Sequence, residues 1–256
     1  LYTPYSVSKK DVSSSLIQKD LNLKSNALFG TKNYSYTETS SVSPSELMTG
    51  SDWLNQPNKS QKKYLDTEAV YRQFVYENYQ TVDQGLEKTI AHLFDQDEFE
   101  NTGIYSISQH IRDTLTKYMK YDEKTNTQSE NVLEDFLNQK ISGNDVLFAS
   151  AAVEAFRHYN IPARYVEGYL LKSDAIDEEG NATLTSKDGH AWVEVYFDAM
   201  GWLPIDVTPG YYYDVYTLMN MVATPQGDNS QVNIEKGHKD SQGVNDGQNG
   251  GMIYNI

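Results

Sequence analysis

The apolar positions follow two periods along the chain, helical in the first half of the legible region and strand-like in the second. From residue 67 to about 94, Ala69, Phe74-Val75, Tyr79, Leu86, Ile90 and Leu93-Phe94 recur three to four apart and predict helix. Ile107, Ile111, Leu115 and Tyr118 predict an amphipathic helix over 106–119, and Val132, Leu133, Phe136 and Leu137 a short one. The stretch 145–159 is the most apolar: Phe148, Ala152, Ala155-Phe156 and Tyr159 share a face that Ala149 and Val153 widen. Its many alanines allow close approach to a neighbour, so this helix is expected to be central. Asn160, which tolerates the left-handed conformation, and Ile161-Pro162 end it.

Strands follow at 164–171, 191–197 and 202–207, the last two joined by the short turn Asp198-Ala199-Met200-Gly201 as an antiparallel hairpin. Between the first two strands, 174–189 is acidic and polar and reads as a surface loop. Residues 1–60 are rich in Ser, Thr, Asn, Lys and Tyr, with a short candidate strand at 34–37 and a helix start at Ser43-Pro44. After Pro225 apolar anchors almost vanish, which reads as a linker or disordered tail. The expected organisation is an irregular N-terminal extension at 1–65, a core at 66–220 and a polar tail at 221–256. Helices first and strands afterwards argue for an α+β fold rather than a doubly wound sheet.

Charge narrows the function classes. With 36 acidic against 21 basic residues and a formal net charge of -15, the chain lacks the basic face that nucleic acid or an anionic membrane needs. The absence of cysteine removes disulfides, thiolate metal sites and any thiol nucleophile. A cysteine-free chain fits the cytosol and equally the outside of bacteria that make little use of disulfides. No run approaches 18 consecutive apolar residues, and Leu1 is not followed by a signal-peptide pattern. The expectation is a soluble portion of a longer protein, with any targeting or membrane segment outside it.

Four strings carry the candidate chemistry: Gly143-Asn144-Asp145-Val146-Leu147-Phe148-Ala149, Ile161-Pro162-Ala163-Arg164-Tyr165-Val166-Glu167-Gly168-Tyr169, Gly189-His190-Ala191-Trp192-Val193-Glu194-Val195-Tyr196 and Gly201-Trp202-Leu203-Pro204-Ile205-Asp206-Val207-Thr208-Pro209. Together, over about 105–212, they resemble the transglutaminase-like branch of the papain-like cysteine enzymes. Tyr71-Arg72-Gln73-Phe74-Val75 resembles the lead-in of bacterial extracellular relatives. The resemblance implies a papain/transglutaminase-like core, a central helix packed on an antiparallel sheet, with an N-terminal helical extension. It further implies a Cys three residues before Phe-Ala, a His before Ala-Trp and an Asp before Thr-Pro. Here those positions hold Asp145, His190 and Asp206, the candidate catalytic residues.

The family's chemistry explains what the change removes. A thiolate at a helix N-terminus is stabilised by the unpaired N–H groups there and by an imidazolium beside it. The His then moves the proton and the Asp orients it. A carboxylate at residue 145 keeps the negative charge but not the reactivity, because attack on an amide would give a mixed anhydride more activated than the amide consumed. Ser142 and Ser150 do not substitute: one precedes the helix and the other lies about 140° around it. Taken alone, Asp145 reads simply as an N-cap. A regular hairpin about Ala199-Met200 would set residue 206 opposite 193 and aim Asp206 and His190 at opposite faces, so a bulge or register shift is expected at Pro204. Arg164 and Glu194 read as partners of one another or of backbone; Trp192 and Trp202 could wall a substrate cleft, with core packing the default for aromatics in strands. His110, His158 and His238 show no ligand spacing.

Three readings stay open. The first is a catalytically inactive domain that binds a peptide or protein on the extracellular face of a bacterial cell, with no cofactor and no metal. The second is an active acyl-transfer enzyme of the lineage (transglutaminase, cysteine-type peptidase or amidase) carrying a changed nucleophile position. In the third, Asp145, His190 and Asp206 hold a divalent metal, or Asp145 attacks an sp³ carbon. The partner's identity and the oligomeric state are not legible in the residues.

Overall fold

The computed structural model describes residues 15–17, 23–25, 54–94, 102–125, 130–171, 175, 177–179, 181–211 and 254–255. Two short strands, β1 (Ser15–Ile17) and β2 (Leu23–Ser25), pair antiparallel. Helices α1 (Lys59–Asn78), α2 (Glu87–Leu93), α3 (Ile104–Tyr118), α4 (Val132–Leu137) and α5 (Asp145–His158) precede β3 (Ala163–Leu171), β4 (Gly189–Phe197), β5 (Gly201–Ile205) and β6 (Tyr254–Asn255). The larger sheet has the order β5-β4-β3-β6 and is antiparallel throughout. The candidate strand at 34–37, the helix start at Ser43-Pro44 and nearly all of the tail lie outside the described residues.

The helical stretch read over 67–94 is two helices, and it begins earlier. Asn58 accepts hydrogen bonds from the backbone N–H groups of Ser60 and Gln61, and the Gln61 side chain accepts from the Asn58 N–H, a reciprocal cap that starts α1 at Lys59. The boundary expected at residue 65 therefore falls inside a helix. Asp83 breaks the run, its side chain accepting from Gly85 N at 2.7 Å and its carbonyl from Leu86 N at 2.9 Å.

Helix α5 lies against one sheet face. Phe148, Ala151, Ala152, Ala155 and Phe156 share a buried cluster with Val193, Val195, Phe197, Leu203 and Ile205, and α2, α3 and α4 complete it through Ile90, Ile111, Leu115 and Phe136. Small side chains on α5 let helix and sheet approach closely, as its composition predicts. Asn160 has φ 58, the left-handed conformation expected after the helix. The opposite face carries a second cluster, in which Val75, Tyr71 and Phe74 of α1 pack on Tyr196 and Trp202, with Tyr79 beside them. Among the described residues no helix is long and apolar enough to cross a membrane.

The hairpin makes the expected register shift, but in its turn rather than at Pro204. Val193 faces Ile205, Glu194 faces Pro204 and Phe197 faces Gly201, so the turn is the three residues Asp198, Ala199 and Met200 rather than a pair. Continuing that register sets Asp206 opposite Trp192, on the face that also carries His190. No bulge is needed at Pro204, which sits in the edge strand where a missing N–H is tolerated.

Candidate active site

The approach to α5 is fixed by backbone. Gly143 N donates to Lys120 O at 2.9 Å and Gly143 O accepts from Asp122 N at 2.8 Å, a bridge that pairs residue 143 with Tyr121. The Phe136 ring lies against the Gly143 backbone so tightly that a Cβ there would come within 2.4 Å of it. Next comes Asn144, and it is the cap: its extended backbone turns into the helix and its side chain accepts from Leu147 N at 3.3 Å. Asp145, read as a cap from the sequence, is instead the first helical residue. Capping by its neighbour leaves the Asp145 carboxylate free for other partners.

Those partners are His190 and the strand beside it. Asp145 Oδ2 lies 3.2 Å from His190 Nδ1 and accepts the Ala191 N–H at 2.8 Å. His190 Nε2 lies 2.5 Å from Asp206 Oδ2, and Asp206 Oδ1 accepts from Thr208 N at 2.9 Å. The structure thus brings all three candidate residues into one chain of contacts, with a carboxylate on each side of one imidazole. His190 and Asp206 are buried, while the Asp145 side chain is 21% exposed, so the chain opens to solvent at its helix end.

The charges follow from this geometry. Burial alone would lower the His190 pKa, but hydrogen bonds and Coulomb attraction from Asp145 and Asp206 outweigh it and raise it to about 9. Burial likewise pushes Asp145 up, yet the contact to His190 and the Ala191 N–H hold its carboxyl below the ordinary value. At neutral pH the pair is carboxylate and imidazolium, the same formal charges as a thiolate–imidazolium pair. What differs is the nucleophile: an oxygen already accepting two hydrogen bonds.

Sequence reasoning missed Tyr211 and Tyr121 beside the site and gave Trp192 to the core. Tyr211 stacks on the His190 ring with centroids 4.3 Å apart, and Trp192, two residues along β4, stacks at 6.3 Å on a plane inclined by 21°. Tyr121 also senses the site: burial first, then the charges of Tyr211 and Asp145, raise its hydroxyl to about 12. The one available signal for Tyr211 was the Thr208-Pro209-Gly210 turn before it, where Gly210 takes φ 93 and Tyr211 N donates to Thr208 O.

The other candidates have structural roles. Arg164 Nε donates to Glu194 Oε2 at 2.7 Å across β3 and β4, and the Arg164 guanidinium sits 4.4 Å over the Trp202 ring. Burial pushes the Glu194 pKa up, with Arg164 opposing it. His158 Nε2 contacts Phe94 O at 2.9 Å, and His110 packs edge-on to Phe94 and Tyr159. Among the described residues no group of three or more His, Asp or Glu is arranged to hold a metal ion. A cavity of about 610 Å³ lined by Lys88, His92, Tyr118 and Gln139, among others, shares no residue with the Asp-His-Asp chain.

With a helix N-terminus, a strand histidine and a hairpin aspartate joined in this way, the comparison with known proteins is decisive for the family. The sequence model of the transglutaminase-like superfamily matches residues 95–207. This segment is a transglutaminase-like domain. Its central helix packed on an antiparallel sheet is the α+β transglutaminase/papain-like core. Among curated proteins, the chain is 37% identical over 87 residues to YebA of Bacillus subtilis, described as uncharacterized, covering 32% of this chain and 12% of that protein. It is 38% identical over 77 residues to a protein-glutamine gamma-glutamyltransferase of Pseudomonas aeruginosa, covering 30% of this chain and 11% of that protein. The chain therefore spans only about an eighth or less of these relatives' lengths. A crystal structure of the periplasmic domain of TgpA from Pseudomonas aeruginosa bound to ethylmercury aligns at 24% identity and a TM-score of 0.37, over 50% of this chain and 46% of that one.

Proposed function

We propose that this transglutaminase-like domain is catalytically inactive towards amides and binds a peptide or protein instead. The observation that carries the reading is Asp145 at the start of α5, its Oδ2 shared between His190 Nδ1 and the Ala191 N–H. Acyl transfer needs a nucleophile that gives an acyl intermediate no more activated than the amide consumed. A carboxylate gives an anhydride. The requirement fails at the nucleophile alone, since His190, its pKa raised to about 9 between two carboxylates, carries the charge that it would carry beside a thiolate. The partly exposed carboxylate and the stacked Tyr211 leave a polar and aromatic surface on which a chain can dock.

The location proposed is the extracellular face of a bacterial cell, as part of a longer protein; support comes from the bacterial relatives, and the composition is compatible with it. The second reading, an acyl-transfer enzyme with a changed nucleophile position, is favoured by the intact His190–Asp206 contact at 2.5 Å. The test is to incubate the protein with glutamine-containing peptides and a primary amine, following ammonia release and amine incorporation, while titrating the same peptides by calorimetry. Saturable binding with release at the uncatalysed rate is expected. Turnover that disappears in His190→Ala would overturn inactivity, and no binding across a diverse peptide set would overturn the binding role.

A further inference from the structure

Helix α1 lies before the segment matched by the family, yet it holds the turn that sets the geometry of the site. The turn Asp198–Met200 is gripped at several points by one face of α1. Glu68 Oε1 accepts the Ala199 N–H at 3.1 Å and the Tyr196 hydroxyl at 2.8 Å. The Tyr64 hydroxyl donates to Ala199 O at 3.0 Å. Arg72 and Tyr76 hold the two oxygens of Asp198 at 3.0 and 3.1 Å. Residues 64, 68, 72 and 76 are spaced by four, so they form one stripe on the helix.

Two features say that this contact does more than add stability. Ala199 has φ 65, a conformation unfavourable for a residue with a Cβ, and it is Ala199 whose N–H and C=O are both held by α1. Glu68 is also a buried carboxylate, 6% exposed, and burying a charge is costly unless specific partners compensate it. The length of this turn decides which face Asp206 occupies. Three residues pair Val193 with Ile205 and bring Asp206 to His190; a two-residue turn would shift the pairing by one and send Asp206 to the other side of the sheet.

We propose that α1 is a register clamp for the site: Glu68, supported by Tyr64, Arg72 and Tyr76, holds the Asp198–Met200 turn in the three-residue form that keeps Asp206 on His190. These are positioning residues; none touches the His190 ring. The inference stands whether the site binds or turns over its ligand. The test uses the whole chain with isotope-labelled histidine and follows the titration of His190 by NMR. In Glu68→Ala the His190 midpoint is expected to fall by about one pH unit or more, tenfold in proton affinity, as contact with Asp206 is loosened. In Glu68→Gln, which keeps a carbonyl acceptor, it is expected to return most of the way. In an Asp206→Asn background Glu68→Ala is expected to add nothing. A lowered Tm with an unmoved midpoint would overturn the proposal, and so would an equal fall in the Asp206→Asn background. If Glu68→Ala does not fold, Tyr64→Phe/Tyr76→Phe removes two turn contacts from the partly exposed side of the stripe, and an unmoved midpoint there overturns the proposal equally.

Discussion

At Asp145 a difference of one position decides what the carboxylate can do. Asn144 takes the capping role, accepting from Leu147 N, so Asp145 turns to His190 and Ala191. Replacing Asn144 by Ala should lower stability by about 1 kcal/mol, the usual worth of such a cap, measurable by urea denaturation. The ion pair itself makes stability depend on pH in both directions. The raised His190 pKa contributes stability that is whole below 6.5 and fades as pH rises through about 9. The lowered Asp145 pKa contributes stability that is whole above 3.8 and fades as pH falls through its lower folded value. Asp145→Asn removes one of the two carboxylates facing His190, so its NMR midpoint should fall below about 9 and the alkaline loss of stability should begin at lower pH. An unchanged midpoint would mean that Asp206 alone sets the charge of the ring.

The elements differ in how far the residues announce them. Helix α5 was legible because its apolar density has one solution, burial against a sheet, and its observed span, Asp145–His158, ends one residue short of the expectation. The cross-strand Arg164–Glu194 pair was legible too, since two opposite charges on neighbouring buried strands need each other. The hairpin register was not. Turn length depends on whether Ala199 accepts a left-handed backbone; Gly201 at φ 96 and the Met200 N–Phe197 O bond act locally, but the groups that hold Ala199 itself come from α1, more than 120 residues earlier in the chain. Asn144 and Asp145 are both good caps, so adjacency alone could not assign the role. Relief of the strain at Ala199 is open to measurement: Ala199→Gly should raise stability by a few tenths to about 1 kcal/mol, because glycine adopts positive φ without penalty. Gly143→Ala should act the other way, costing about 1–3 kcal/mol as the new methyl meets the Phe136 ring, whereas Gly103→Ser enters open space and should be near neutral. Thermal melts of the three variants would compare these effects directly.

Across the whole molecule, the sheet is covered on both faces, by α5 on one and α1 on the other. The segment matched by the family begins at residue 95 and so excludes the second cover. A chain beginning at residue 80 would bare Tyr196 and Trp202, both buried here, and would lose the partners of Asp198 and Ala199. Such a truncation should bind a hydrophobic dye and melt at lower temperature than the full chain, and retention of the full Tm would show that α1 is dispensable. If the site lacks only sulfur, a thiol placed at residue 145 should find the helix N-terminus and His190 ready to ionise it. Alkylation of Asp145→Cys by iodoacetamide across a pH series tests this most directly. The new thiol should ionise well below the ordinary thiol pKa of about 8.5, and its reaction should slow sharply at neutral pH when His190→Ala is added. An ordinary thiol titration, indifferent to His190, would contradict it.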